Sequence, residues 1–211
     1  MLSTDLMPAR EERSRRLMIV LHGLGDSMEG YRWLPPVLNL PWLNFLLVNA
    51  PDEYFGGYSW YDIYGEAEPG IVRSRTLLFD LLDSLGGRGF AAADTVLFGF
   101  SQGCLLTLEV GMRYPHRLAG LVGISGYAHD LDSLLQGMSP LAKQQRFLVT
   151  HGTQDPLLPI EPVRAQMRRL RLAELNLEWH EFVKAHTIAG EDEIDVIRTF
   201  VENCFAAKAG A

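Results

Sequence analysis

The chain has few cysteines and no recognisable metal-binding spacing. Its 211 residues include two cysteines, Cys104 and Cys204, which are too few for the disulfide framework of a secreted protein. The six histidines form neither an H-E-x-x-H motif nor a pairing with closely spaced cysteines. We therefore expect a reducing compartment, no metal site and no cofactor.

Two further absences concern membranes and nucleic acids. No apolar run approaches the ~18 residues needed to cross a bilayer, and residues 1–16 lack the apolar core of a signal peptide. Lysine is scarce, with three against sixteen arginines, and these basic residues are dispersed in a chain of net charge −7. Because nucleic acids bind concentrated positive charge, a nucleic-acid partner is disfavoured. The expectation is a cytoplasmic protein without integral membrane association.

Apolar residues are plentiful and follow two periodicities. At 47% hydrophobic content the chain can bury one sizeable core, so we expect a single domain over residues 1–211, whose residues 1–15 form a polar segment. Strand-like apolar runs alternate with amphipathic, helix-like stretches at least five times, which predicts an α/β fold: a doubly wound, mostly parallel sheet with helices on both faces. The predicted strands cover residues 17–21, 45–48, 94–100, 118–124, 147–150 and 177–183, and the main predicted helices cover residues 69–85, 102–114, 162–172 and 191–205.

The motif with the clearest chemistry is Gly99-Phe100-Ser101-Gln102-Gly103. It lies between a predicted strand and a predicted helix, as in a nucleophile elbow, which presents a serine hydroxyl at a helix N-terminus. The flanking glycines remove side chains that would collide across the turn, and the helix N-terminus favours negative charge on a reacting oxygen. The simpler alternative is an ordinary Gly-Ser turn between a strand and a helix.

A second glycine-rich turn begins at His22, directly after the strand predicted at residues 17–21. A strand followed by G-x-G invites a dinucleotide-binding interpretation, but Met28 stands where the third glycine of G-x-G-x-x-G belongs. The alternative is that this loop brings the backbone N–H of Leu24 beside the serine as half of an oxyanion hole. We interpret His22 as an anchor of the loop, because it precedes the serine in the chain.

A nucleophilic serine needs an imidazole to accept its proton and a carboxylate to orient that imidazole. In the order serine, acid, histidine, His186 follows the last predicted strand and Asp155 follows the strand before it. The remaining downstream histidines are less well placed: His116, His129, His151 and His180. The rival acids follow the strand nearest the serine or belong to the first turn of the closing helix: Asp130, Asp132, Asp192 and Asp195. The chosen pair, like Leu24, falls at the carboxyl ends of predicted strands, where open α/β sheets bind ligands.

Two segments between the predicted elements are irregular in pattern. Residues 51–64 hold six aromatic side chains among glycines and predict a long loop, which either lines a ligand site or closes one edge of the domain. Residues 125–145 are polar and are punctuated by glycine and serine, so we expect an excursion without a main-sheet strand.

Taken together, these motifs resemble the carboxylesterase and acyl-protein thioesterase (phospholipase/carboxylesterase) family of α/β-hydrolases. The resemblance extends along nearly the whole chain and rests on residues 22–27, 99–103, 151–155 with Pro159, and 186–188, in that order. It implies the α/β-hydrolase fold without a large cap domain. It also implies that Ser101, Asp155 and His186 form a catalytic triad.

Further site residues are implied by the same resemblance. The N–H groups of Leu24 and Gln102 would form the oxyanion hole, and Trp60, Tyr61 and Leu157 would contact the substrate. The chain departs from the family pattern at two places: Cys104 stands where another glycine is common, and Lys184 and Ala185 precede the histidine where a glycine is frequent.

The expected activity is hydrolysis of carboxylic esters or thioesters with a hydrophobic acyl group, through an acyl-enzyme on Ser101. The expected substrates are small or lipid-like esters and thioesters, including acylated proteins, and a homodimer is compatible with the sequence. Two alternatives stay open: a catalytically silent binding module on the same scaffold, and a small serine peptidase that would use the same triad.

Overall fold

The computed structural model describes residues 1–206 and is built around a seven-stranded, mostly parallel sheet. The strands of the chain are β1 (Thr4–Met7), β2 (Arg16–Leu21), β3 (Leu43–Val48), β4 (Asp52–Tyr54), β5 (Gly57–Ser59), β6 (Thr95–Phe100), β7 (Gly120–Ile124), β8 (Arg146–Gly152) and β9 (Asn176–Phe182). Their order in the main sheet is β1-β3-β2-β6-β7-β8-β9, with β1 antiparallel to β3 and all other pairs parallel. Strands β4 and β5 form a separate antiparallel hairpin.

The central strands are apolar on both faces, as a parallel sheet covered by helices requires. Residues 17–21 and 96–98 are at most 1% exposed. In the parallel pairing of β2 with β6, Leu21 lies opposite Gly99. The loop that begins at His22 therefore leaves the sheet beside the strand that leads to Ser101.

Within residues 1–206, six α-helices cover the sheet: α1 (Leu34–Leu38), α2 (Ala67–Gly86), α3 (Gln102–Arg113), α4 (Leu131–Gln136), α5 (Ile160–Leu172) and α6 (Glu191–Ala206). Helices α2, α3, α4 and α5 pack in one apolar cluster with Leu17 and Ile19, while α1 and α6 pack in a second cluster with Met18 and Val20. Successive residues of one strand thus point to opposite layers. The prediction of an α/β sheet with helices on both faces is confirmed, and no cap domain is inserted within the described chain.

Three features of the fold were not anticipated from the sequence. Within the supposedly polar residues 1–15, β1 pairs with the edge of β3. The aromatic loop contains the β4-β5 hairpin, whose turn residues Phe55 and Gly56 both have positive φ (46° and 89°), as hairpin turns often require. The excursion after β7 contains α4, where the carboxylate of Asp130 accepts a hydrogen bond from the N–H of Ser133 at 3.0 Å. Of the helices in residues 1–206, none is both long and apolar enough to span a membrane.

Candidate active site

Ser101 lies at a sharp turn between β6 and α3. Its backbone has φ 54° and ψ −114°, a conformation that L-residues rarely adopt, and its N–H donates to the carbonyl of Ile124 at 2.9 Å. A Cβ at Gly99 would lie 2.1 Å from the carbonyl oxygen of Gly103, and a Cβ at Gly103 would lie 2.4 Å from the carbonyl oxygen of Leu21. Close backbone approach therefore requires glycine at both positions of the motif.

The structure brings Ser101, His186 and Asp155 together from the loops after β6, β9 and β8. The Ser101 hydroxyl lies 2.9 Å from His186 Nε2, and His186 Nδ1 lies 2.7 Å from Asp155 Oδ2. An ionised carboxylate only accepts hydrogen bonds, so Nδ1 carries the imidazole proton and Nε2 is free to accept from the hydroxyl. This arrangement can move a proton from the serine to the histidine.

Asp155 is buried but kept ionised. Burial raises the pKa of its carboxyl, but hydrogen bonds from the N–H groups of Leu158 and Leu157, both 2.9 Å from Oδ1, and from His186 outweigh it, so the pKa lies below its ordinary value. The loop after β8 supplies both backbone donors. The carboxylate is therefore a fixed negative partner for the imidazole.

The two predicted oxyanion donors belong to the turn at the serine and to the loop that begins at His22. Gln102 is the first residue of α3, and within residues 1–206 neither its N–H nor that of Leu24 has a hydrogen-bond acceptor. The Leu24 loop approaches the serine closely, because a Cβ at Gly23 would lie 3.3 Å from Ser101 Cβ. Two unused N–H groups next to a serine hydroxyl are suited to binding a negatively charged oxygen.

His22 holds the Leu24 loop from within the core. Its Nδ1–H donates to the carbonyl of Gly23 at 2.6 Å, and its Nε2 accepts from the N–H of Ala50 at 3.1 Å. Burial lowers the pKa of this imidazole, although the Gly23 carbonyl and Asp26 oppose the effect. A neutral, fully bonded histidine fits the role of loop anchor.

The three residues expected at the substrate are placed differently from one another. Trp60 is 0% exposed, and its indole N–H donates to the carbonyl of His22 at 3.0 Å, so its ring supports the Leu24 loop. Contact between Trp60 and a substrate stays a prediction. Tyr61 is also buried, whereas Leu157 is 68% exposed beside the acid. The sequence signal for Trp60 was an aromatic-rich loop. This pattern does not distinguish a ring that lines a ligand site from a ring that packs in the core.

Gln102 connects the serine turn to this aromatic segment. Its side-chain Oε1 accepts from the N–H of Trp60 and its Nε2 donates to the carbonyl of Tyr61, each at 2.9 Å. The Ser59 hydroxyl donates to the carbonyl of Tyr61 at 2.7 Å, and its oxygen lies 3.3 Å from Gln102 Oε1. The same residue thus offers its backbone N–H to the site and fixes the neighbouring loop with its side chain.

A buried ion pair holds the loop that carries His186. Lys184 Nζ lies 2.5 Å from Glu193 Oε1, which also accepts from the hydroxyl of Thr150, and Glu193 Oε2 accepts from the N–H of Ala189. Burial lowers the pKa of Lys184, while Glu193 and Asp155 oppose that effect. Sequence reasoning noted Lys184 only as a departure from the family pattern and missed Glu193. The available signal was a lone lysine two residues before His186, followed by an acid at the start of α6.

His151, which the sequence argument did not choose as the base, is hydrogen-bonded to the loop that carries Asp155. It is fully buried, its Nε2–H donates to the carbonyl of Leu158 at 2.8 Å, and its ring stacks on Trp179. The same nitrogen is 3.8 Å from Asp155 Oδ2, too far for a hydrogen bond. His151 thus fixes the Asp155 loop.

Comparisons with known proteins identify the family of the chain. A family model described as Phospholipase/Carboxylesterase matches residues 6–205. Acyl-protein thioesterase 1 of Schizosaccharomyces pombe is 35% identical over 155 residues, which are 67% of this chain and 69% of that protein. Acyl-protein thioesterase 1 of Yarrowia lipolytica is 30% identical over 205 residues, which are 88% of this chain and 90% of that protein.

Solved structures of esterases have the same overall fold as this chain. The crystal structure of esterase PE8 superposes with a TM-score of 0.87 at 26% identity, covering 97% of this chain and 99% of that chain. The Bacillus cereus carboxylesterase superposes with a TM-score of 0.83 at 18% identity, covering 97% of this chain and 95% of that chain. The chain therefore belongs to the phospholipase/carboxylesterase family of α/β-hydrolases, as the resemblance of its motifs predicted.

Proposed function

We propose that this chain is a serine hydrolase that cleaves carboxylic esters or thioesters with a hydrophobic acyl group through an acyl-enzyme on Ser101. The observation that carries the proposal is the hydrogen-bonded series from Ser101 Oγ to His186 Nε2 and from His186 Nδ1 to Asp155 Oδ2. Names of relatives, two of them acyl-protein thioesterases, support an acylated protein or a lipid-like ester as the substrate.

In the acylation step, Ser101 Oγ attacks the acyl carbonyl carbon while His186 Nε2 accepts the hydroxyl proton. The negative charge that forms on the carbonyl oxygen is stabilised by the N–H groups of Leu24 and Gln102. Collapse of this intermediate breaks the bond to the leaving oxygen or sulfur, and His186 returns the proton to that atom. Asp155 remains ionised throughout and holds the imidazole in the required tautomer.

In the deacylation step, a water molecule takes the place of the leaving group. His186 accepts a proton from this water, whose oxygen attacks the acyl carbon, and the proton then passes to Ser101 Oγ as the acid is released. We propose that the exposed Leu157 contributes apolar surface to the acyl group beside the triad. Tyr61 acts through the loop that Gln102 holds, because its side chain is almost wholly buried.

The test is covalent labelling combined with a substrate panel. A fluorophosphonate probe should label Ser101, and Ser101→Ala should abolish labelling and reduce kcat on the order of 10⁶-fold if the triad acts as a unit. The panel contains p-nitrophenyl esters from acetate to palmitate, matched acyl thioesters and peptides. An unlabelled Ser101 together with ligand binding would indicate a silent binding module, and cleavage of peptides in preference to esters would indicate a peptidase. Retention of more than a tenth of the activity by Ser101→Ala contradicts the assignment.

A further inference from the structure

A groove leads away from His186 along residues that the proposed mechanism does not use. Its inner part has a volume of about 380 Å³ and is bordered by His186, Phe100 and Trp33. Its outer part has a volume of about 540 Å³ and lies between α1 and the beginning of α6. Trp33 and Ile188 border both parts, so the two adjoin.

The groove begins at His186, the residue that returns the proton to the leaving group in the proposed mechanism. The nitrogen that protonates the leaving atom is His186 Nε2, which lies 2.9 Å from Ser101 Oγ. The leaving atom must therefore come within hydrogen-bond distance of this nitrogen. Because His186 itself borders the inner part of the groove, the groove begins beside the imidazole that protonates the leaving atom.

The surface of the groove combines apolar groups with negative charge. Trp33 and Val37 are 39% and 42% exposed and present apolar surface to the groove. Asp26 borders the inner part and Glu191 the outer part, and within residues 1–206 neither forms an ion pair. An exposed indole between two carboxylates favours a cation that can stack on the ring.

The positive charge in the groove is already engaged. Arg198 pairs with Asp195, and its Nε and Nη2 donate to the carbonyls of Leu38 and Val37 at 2.9 and 3.1 Å. Asp195 and Arg198 therefore neutralise each other, which leaves the carboxylates of Asp26 and Glu191, the latter partly offset by the N-terminus of α6. The groove is thus negative overall, in a chain whose net charge is −7.

We propose that this groove binds the leaving group and selects a peptide in which the acylated cysteine has basic and apolar neighbours. The inference rests on the proposed function and specifies its substrate class. Each part of the groove falls in the size range of sites for drug-sized ligands, so the two in series hold more than a small alcohol or thiol. Cleavage forms the bond between Ser101 Oγ and the acyl carbon, breaks the carbon–sulfur bond, and delivers the serine proton through His186 to the cysteine sulfur.

The experiment compares three octanoyl thioesters with the same acyl group. Two are nonapeptides with a central acylated cysteine and apolar residues. They are identical except that one has two lysines where the other has two glutamates. The third is the thioester of N-acetylcysteamine, which has no peptide. We expect kcat/KM to be about 10-fold higher for the lysine peptide than for the glutamate peptide at low ionic strength, with the ratio falling in high salt.

Two variants locate the preference in the groove. Glu191→Gln should reduce the lysine-to-glutamate ratio by a factor of about 3. Trp33→Leu should raise KM for the lysine peptide relative to the N-acetylcysteamine thioester. The matched control is Glu202→Gln, which removes an exposed carboxylate from the same helix outside the groove and should leave the ratio unchanged.

The outcomes separate this inference from the proposed function. If all three thioesters are cleaved at equal rates, or if Glu191→Gln and Glu202→Gln leave the same ratio, the assignment of the groove is wrong while the hydrolase stands. If none is cleaved and the fluorophosphonate fails to label Ser101, both proposals are overturned.

Discussion

At the scale of single residues, Asp155 is where burial and hydrogen bonding oppose each other most directly. Its side chain has no exposed surface, yet its pKa lies below the ordinary value, because burial is outweighed by the backbone donors of Leu158 and Leu157 and by His186. A carboxyl whose pKa falls on folding stabilises the folded state above its unfolded pKa of ~3.9, and this contribution is lost as pH falls through the folded value.

This predicts separate effects of Asp155→Asn on activity and on stability. An amide can no longer hold the imidazole in the productive tautomer, so kcat for a p-nitrophenyl ester should fall by about 10⁴-fold. The free energy of unfolding should also depend less on pH than in the wild type between about pH 5 and pH 3, because the stabilising ionisation is absent. Urea unfolding at several pH values measures the second effect. A variant with near-normal kcat, or with an unchanged acid dependence, contradicts this account of Asp155.

The positions of Ser101, Asp155 and His186 could be chosen from sequence because each follows a recognisable strand and their order along the chain is restricted. The same reasoning could not place Trp60, since exposure depends on which neighbours close over a ring. Nor could it find Glu193, because a glutamate in the first turn of a helix is usually explained by the helix dipole alone. Contacts between segments distant in sequence decided both cases.

At the scale of elements, the loop between β9 and α6 depends on a single buried carboxylate. Glu193 is bonded to Lys184 at the beginning of the loop and to Ala189 near its end, with His186 between them. It also accepts from Thr150 on β8, the strand that leads to Asp155. One glutamate thus connects the loop that supplies the base to the strand that leads to the acid.

We therefore expect Glu193→Gln to act on both stability and catalysis. Leaving Lys184 without its partner should lower the free energy of unfolding by about 3 kcal/mol, whereas the double variant Lys184→Met, Glu193→Gln should recover part of that loss. If Glu193 positions His186, kcat for p-nitrophenyl esters should fall about 10-fold while KM changes less, measured where the variant is folded.

The control for this prediction is Lys143→Met, which breaks the exposed ion pair between Lys143 and Glu174. Because water screens that pair, we expect little change in stability or kcat. Equal effects of the buried and exposed substitutions, or a loss of stability in Glu193→Gln with unchanged kcat, would show that Glu193 does not position the histidine.

Elements with long apolar runs or clear helical periodicity were predicted well, including β2, β6, α2 and α3. The missed elements are short. Helix α4 has six residues and depends on the Asp130 cap, and the β4-β5 hairpin depends on a turn with positive φ at Phe55 and Gly56. Such elements are stabilised by local turn chemistry and by tertiary packing, and neither produces a periodic signal over a long window.

At the scale of the whole molecule, the two edges of the sheet are protected differently. The β9 edge carries charged and polar residues of its own, among them Glu178, His180 and Glu181. Strand β3, by contrast, is buried along its whole length, and β1 covers its outer edge with four residue pairs. Without β1, an apolar strand would present unpaired N–H and C=O groups to other molecules.

Deletion of residues 1–8 should therefore destabilise the protein and promote its association while sparing the site. Loss of the β1 pairing should reduce stability by about 2 kcal/mol, which for a chain of this size lowers Tm by about 4–8 °C. Two strands, β3 and β2, separate β1 from β6 and Ser101, so fluorophosphonate labelling at 25 °C should persist. Thermal unfolding with light scattering tests the first effect. An unchanged Tm without aggregation would mean that β1 does not protect this edge, because the exposed β3 would then be stable on its own.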